Sequence, residues 1–175
     1  MSCDPDSAFT GCTYQYPINA IGLSDTIKTT DTIWIDNDLD ARLCWGGIYK
    51  NGEGEEIPNF YKLENDSFIY SSSVKIVGFS DSSRNQDNLL LYQIKIKYIN
   101  ERYRSKYGII FPEPGIYYLG NFGCAIANGI DNSISIQGYF NVSSNNQNLF
   151  SDKVITPDSK IDTDKYGVYY LRVIK

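Results

Sequence analysis

Apolar and polar residues alternate one by one along several stretches of the chain. Across residues 90–98 the even positions are Leu90, Tyr92, Ile94, Ile96 and Tyr98, with Gln93, Lys95 and Lys97 between them. Across 133–142 the even positions are Ile134, Ile136, Gly138, Phe140 and Val142, set between Ser133, Ser135, Gln137, Tyr139 and Asn141. Residues 32–36 place Ile33 and Ile35 among Thr32, Trp34 and Asp36, and 167–175 is rich in Val, Tyr, Leu and Ile. A period of two puts every second side chain on one face, so these runs predict strands with one dry and one wet face, the pattern of antiparallel sheets. Residues 68–79 also read as a strand.

Turn chemistry separates the runs. Asn51-Gly52 supplies the positive φ angles of a tight hairpin turn between an aromatic run at 45–49 and an apolar run at 57–63. Residues 81–87 and 145–148 are polar and read as loops. Pro112-Glu113-Pro114-Gly115 reads as a turn, because proline removes a ladder donor. No helix-period pattern of any length occurs; the best candidate, residues 100–107, reads equally well as a hairpin arm. The fold class expected is all-β, an antiparallel β-sandwich with little or no helix. One domain over residues 13–175, preceded by a tether at 1–12, suits a chain of 175 residues.

Pro114-Gly115-Ile116-Tyr117-Tyr118-Leu119 resembles the corner of immunoglobulin-like domains, where a turn leads into a Tyr-bearing strand. The resemblance implies that a Tyr hydroxyl bonds back to upstream backbone. The cysteine that this family places two residues after the Tyr is missing, since the next one is Cys124.

Composition agrees with strands: 15 tyrosines stand against a single methionine. A formal net charge of −5 argues against nucleic acid and against electrostatic attachment to anionic lipid. Arg102, Arg104 and Lys106 share one face if they lie on a strand, and the simplest reading of them is a solvated face. No run of about 18 apolar residues occurs, so no segment reads as a membrane-spanning helix. The opening Met1-Ser2-Cys3-Asp4-Pro5-Asp6 resembles the mature end of bacterial lipoproteins, in which the signal is cut just before a cysteine that is then acylated. That resemblance implies a lipid on Cys3, export to the cell envelope and contact with the membrane through this anchor alone. Cys12, Cys44 and Cys124 then remain for a disulfide whose pairing the spacing does not specify.

The chain contains no histidine. Ser-His-Asp and Cys-His catalysis and His-rich zinc sites are thereby excluded. Ser72 and Lys75 have a Ser-x-x-Lys spacing, but the companion motifs of that chemistry are absent. Asp36, Asp38 and Asp40 alternate as calcium ligands do, although Ala41 and Gly47 stand where an EF-hand needs Gly and Glu. They are a calcium candidate, against a solvated acidic loop. A carboxylate pair could hydrolyse a glycoside without histidine, and Glu53, Glu55, Glu56, Glu64, Glu101 and Glu113 are available. The first three read as the solubilising tip of a hairpin. No cofactor is implied. Aromatic faces stack on sugars and anchor protein interfaces, which makes Trp34, Trp45, Tyr49 and Tyr61 the candidate ligand-binding residues, with Tyr117, Tyr139 and Tyr169 further ones. The expected function is a non-catalytic envelope module that binds a glycan or a protein. Its rivals are a structural subunit of an envelope assembly or adhesin, and a small carboxylate-based glycoside hydrolase.

Overall fold

The computed structural model describes residues 13–40, 53–56, 58–78, 82–84, 90–92, 94–120, 122–127, 133–140, 154–155 and 169–175. For 13–15, 53–55, 82–84, 90–91, 123–127, 133–137 and 154–155 it describes the backbone alone. The described chain is all-β. Its strands are β1 (Thr13–Ile18), β2 (Ala20–Ile21), β3 (Thr26–Lys28), β4 (Thr32–Asp40), β5 (Glu53–Glu56), β6 (Asn59–Glu64), β7 (Ser67–Tyr70), β8 (Lys75–Val77) and β9 (Ser82–Arg84). There follow β10 (Leu90–Tyr92), β11 (Ile94–Ile99), β12 (Arg102–Ile110), β13 (Gly115–Gly120), β14 (Gly123–Ala127), β15 (Ser133–Phe140), β16 (Val154–Ile155) and β17 (Tyr169–Ile174).

The larger sheet runs β1-β15-β14-β5-β11-β12-β4-β2, with β8 also on β12; the smaller runs β16-β7-β6-β13-β17-β3. Strands β9 and β10 form a separate pair: β9 lies in the polar stretch 81–87 expected to be a loop, and the single strand expected over 90–98 is divided into β10, which pairs with β9, and β11, which joins the larger sheet. Most pairings are antiparallel, as the alternation predicts, but β1–β15, β17–β3 and β16–β7 are parallel. Asn19 alone separates β1 from β2, the two ends of the larger path. Its carbonyl accepts from the Asp36 amide at 3.0 Å. The larger sheet therefore curls until its last strand meets its first.

Two hairpins turn on pairs of residues with positive φ, Asn65 (48°) with Asp66 (64°) and Asn100 (51°) with Glu101 (62°). Paired left-handed residues are the signature of the two-residue turn whose twist matches that of the strands. The second turn makes residues 102–110 the arm of a hairpin. Residues 68–79 are not one strand: β7 ends at Tyr70 and β8 begins at Lys75.

One core lies between the sheets. Ile33, Ile35, Tyr103, Tyr107, Ile109, Ile94 and Ile96 from the larger sheet meet Phe60, Tyr117, Leu119, Tyr169, Leu171 and Val173 from the smaller. Each such side chain contributes roughly 1.5–3 kcal/mol by leaving water. Aromatic edges meet faces within it: Phe60 and Phe111 lie 6.0 Å apart at 90°, and Phe111 and Tyr117 4.7 Å apart at 60°. The Tyr117 hydroxyl donates to the Glu113 carbonyl at 3.0 Å, the backward bond implied by the corner sequence. The opposite face of the smaller sheet is buried as well at Phe68, Tyr118 and Tyr170. Burial pushes the Tyr118 phenol far above its ordinary range, and its hydroxyl has no hydrogen-bond partner among the described residues.

Candidate functional site: a cationic groove above a buried carboxyl

Strand β12 sets the geometry of the site. Along one edge it pairs with β4 over its whole length, from Arg102↔Asp40 to Ile110↔Thr32. Along the other edge it pairs with β11 at Arg102–Arg104 and with β8 at Gly108–Ile110. Residues 105–107 have no strand partner on that edge among the described residues. Strand β11 explains the opening, because its first half, Ile94–Ile96, is hydrogen-bonded to β5 on its far side. The ladder between β11 and β12 lasts three residue pairs and then parts.

A groove of about 530 Å³ occupies this opening, lined by Asp36, Gly78, Ile94, Lys95, Lys97, Arg104, Ser105 and Lys106, with Ile99 at one end. The lining carries four cations and one carboxylate, on a chain whose net charge is −5. The charges come from alternation: Lys95 and Lys97 on β11, and Arg104 and Lys106 on β12, are the exposed members of strands whose other faces fill the core. Lys97 stands directly opposite Arg104 in the ladder, and like charges in that position repel. Lys106 reaches Asp36 at 3.1 Å, while Arg102 and Arg104 share Asp38, Arg104 at 3.2 Å. The Arg102 guanidinium foremost, with Arg104, holds the Asp38 carboxyl below its usual range.

Trp34 stands at the rim. Its place between Ile33 and Ile35 turns it outward, and it is 38% exposed. It sits across from Gly108 and two residues from Asp36. A Cβ on Gly108 would lie 3.3 Å from the indole and under 3 Å from Thr32 and Val77, and one on groove-lining Gly78 would lie 3.6 Å from the indole. Glycine at 108 lets Thr32, Val77 and the indole close over the strand.

Beneath the groove, on the inward face, lies a chain of hydrogen bonds. Ser105 Oγ donates to Glu56 Oε2 at 3.3 Å, and Tyr107 Oη donates to Glu56 Oε1 at 2.7 Å. Asn37 Nδ2 donates to Ser105 Oγ at 3.4 Å and to Tyr16 Oη at 3.3 Å, while Asn37 Oδ1 has no partner among the described residues. Glu56 is completely buried, and burial pushes its carboxyl up to about 7 despite the two donors. The sequence reading placed it at a solvated hairpin tip. It lies instead on β5, a central strand held between β11 and β14.

The remaining candidates are dispersed. Tyr61 is half-buried on the outer face of the smaller sheet, its ring 5.9 Å from Tyr70 and 5.4 Å from Tyr118, so the fold does not bring it to Trp34. Tyr117 and Tyr169 are core residues, and Tyr139 is partly exposed on β15. Trp45, Tyr49, Cys3, Cys12 and Cys44 lie outside the described residues, and of Cys124 only the backbone on β14 is described. Asp36, Asp38 and Asp40 belong to β4, not to a loop, and Asp36 and Asp38 face cations. Among the described residues no group of three potential ligands gathers as a metal site would require. Ser72 lies in the break between β7 and β8. Comparison with family profiles, with curated proteins and with solved structures finds no match to this chain.

Sequence reasoning missed Lys95 and Lys97 as partners of Arg104 and Lys106. Alternation puts Lys95 and Lys97 on one wet face and Arg102, Arg104 and Lys106 on another, but it does not set the two faces side by side, which is a matter of register.

Proposed function

We propose that this protein is a non-catalytic binding module of the cell envelope, exported and held at the membrane by a lipid on Cys3, and that it takes a glycan on the outer face of its larger sheet. The observation that carries the reading is the outward Trp34 beside an open groove. An indole offers a flat apolar surface for a sugar ring, and the groove offers polar and charged groups to fix its orientation. A glycan array run with the wild type and with Trp34→Ala tests it. Binding by the wild type that Trp34→Ala weakens by about tenfold is expected; silence on the array, with a protein recovered from envelope extract, defeats it. Mass spectrometry of the membrane-associated native protein tests the anchor, and an unmodified Cys3 ends that part of the proposal.

One observation favours a second reading, a carboxylate-based glycoside hydrolase. A carboxyl that titrates near 7, as Glu56 does, has the proton affinity of a general acid. Its complete burial beneath Ser105 and Tyr107 keeps it from a bound sugar in this conformation. Glu56→Gln separates the two readings: a binding module keeps its ligand affinity, whereas a hydrolase loses turnover of that ligand.

A further inference from the structure

We infer that the groove between β11 and β12 selects glycans bearing oxyanions, whether carboxylate, sulfate or phosphate, through Lys97, Arg104 and Lys106, while Trp34 holds the sugar face. This rests on the glycan reading above and narrows it to a substrate class.

Three independent features of the groove point the same way. The first is charge. Four of its lining side chains are cationic and one is anionic; Asp38 offsets Arg104 and Glu55 stands opposite Lys95 in the register, so the groove keeps a modest cationic excess, centred on Lys97, on a chain that is acidic as a whole. The second is imperfect compensation. Asp38 divides itself between Arg102 and Arg104, Lys106 has Asp36, and Lys97 makes no ion pair among the described residues although it stands across from Arg104. A sheet that served only to stay soluble would gain by placing a carboxylate opposite Lys97; two facing cations lower stability and are relieved when an anion bridges them. The third is the opening itself. Where the ladder between β11 and β12 parts, Ser105 and Ile94 form a floor, so an oxyanion can sit between the two strands. A guanidinium and an ammonium at that point offer several donors to one oxyanion, in the charge-assisted geometry that makes such bonds strong.

Sugars fit this groove because the cations do not stand alone. The ladder on β12 runs outward from Arg104 through Lys106 to Gly108, and the register sets Asp36 and Trp34 across from the last two. Four residues of β12, roughly 13 Å of strand, separate Arg104 from the position across from Trp34, so an extended acidic oligosaccharide held at Lys97 and Arg104 would reach Trp34 with a ring further along its chain, not with the adjacent one.

The test is calorimetric titration of the full chain with four probes: an oligogalacturonate, a sulfated oligosaccharide, a neutral oligoglucoside and inorganic sulfate. One or both acidic oligosaccharides should bind at least about tenfold more tightly than the neutral one, and the affinity should fall as salt is raised. The Lys97→Gln/Arg104→Gln double variant should lose about tenfold or more for the acidic probe. Its exposed positions leave the core intact, and the salt dependence of the wild type gives the same answer without a variant. Neutral and acidic oligosaccharides binding alike, with no effect of salt, overturns the selectivity and leaves the glycan reading standing. Inorganic sulfate binding as tightly as any oligosaccharide, unmoved by Trp34→Ala, overturns the sugar part and the glycan reading with it. No binding of any probe overturns both.

Discussion

Replacing Glu56 by Gln removes the charge that the fold buries and keeps an isosteric amide in its place. The free carboxyl of an unfolded chain loses its proton near 4.5, whereas the native one holds it to about 7. Between those values the native state binds more protons, so its stability falls as pH rises. The contribution is fully present below about 4.5 and gone above about 7. The interval corresponds to about 3 kcal/mol, of which about 2 to 3 kcal/mol falls between pH 5 and pH 8.5. That is a large share of the roughly 5–15 kcal/mol by which a domain is stable. Chemical denaturation at a series of pH values reads it directly. The wild type should lose about 2 to 3 kcal/mol over this range and Glu56→Gln should lose little. The variant should then be the more stable protein at pH 8.5, and close to the wild type at pH 5. The buried tyrosines do not interfere, since burial moves the Tyr61, Tyr92, Tyr118 and Tyr170 phenols upward, away from the window. Wild type and variant falling in parallel, or the variant weaker at pH 8.5, would refute the assignment of a buried, proton-holding carboxyl at this position.

The corner bond gives a second prediction: Tyr117→Phe deletes the donor to the Glu113 carbonyl and should cost about 1 kcal/mol in denaturant midpoint with no change in circular dichroism. The turn between β11 and β12 gives a third. Glu101 sits at φ 62°, a conformation that costs a side chain about 1 kcal/mol, so Glu101→Gly should raise stability by roughly that amount in thermal denaturation. A fall in stability would show that the turn depends on the glutamate side chain.

Alternation made much of the fold legible before any coordinates. Residues 94–98 and 32–36 fall in β11 and β4, and the buried members Ile94, Ile96, Ile33 and Ile35 are the ones the pattern picked out. The corner at Tyr117 was readable because its chemistry is local. What escaped was decided by contacts between distant segments. Glu53-Gly54-Glu55-Glu56 has the composition of a solvated tip, yet pairing with β11 on one side and β14 on the other makes it a strand and drives Glu56 into the interior. The parallel pairing of β1 with β15 joins residues more than a hundred positions apart, and nothing in either segment announces it. The groove escaped for the same reason. Arg102, Arg104 and Lys106 could be placed on one face from spacing, but that Lys97 faces Arg104, and that the ladder parts just beyond, are properties of register. Register between strands is fixed by the whole hydrophobic pattern and by turn geometry, so it follows from the sequence without being written at any one site.

A ligand of this protein should sit on the outer face of the larger sheet. Nitrogen-15-labelled full-length protein titrated with an oligogalacturonate, followed by amide and indole chemical shifts, addresses that directly. Graded shifts at Lys95, Lys97, Arg104, Lys106 and the Trp34 indole N–H, with the Tyr61–Tyr70 face unmoved, are the predicted result. Shifts confined to the smaller sheet, with Lys97, Arg104 and Trp34 silent, would contradict it.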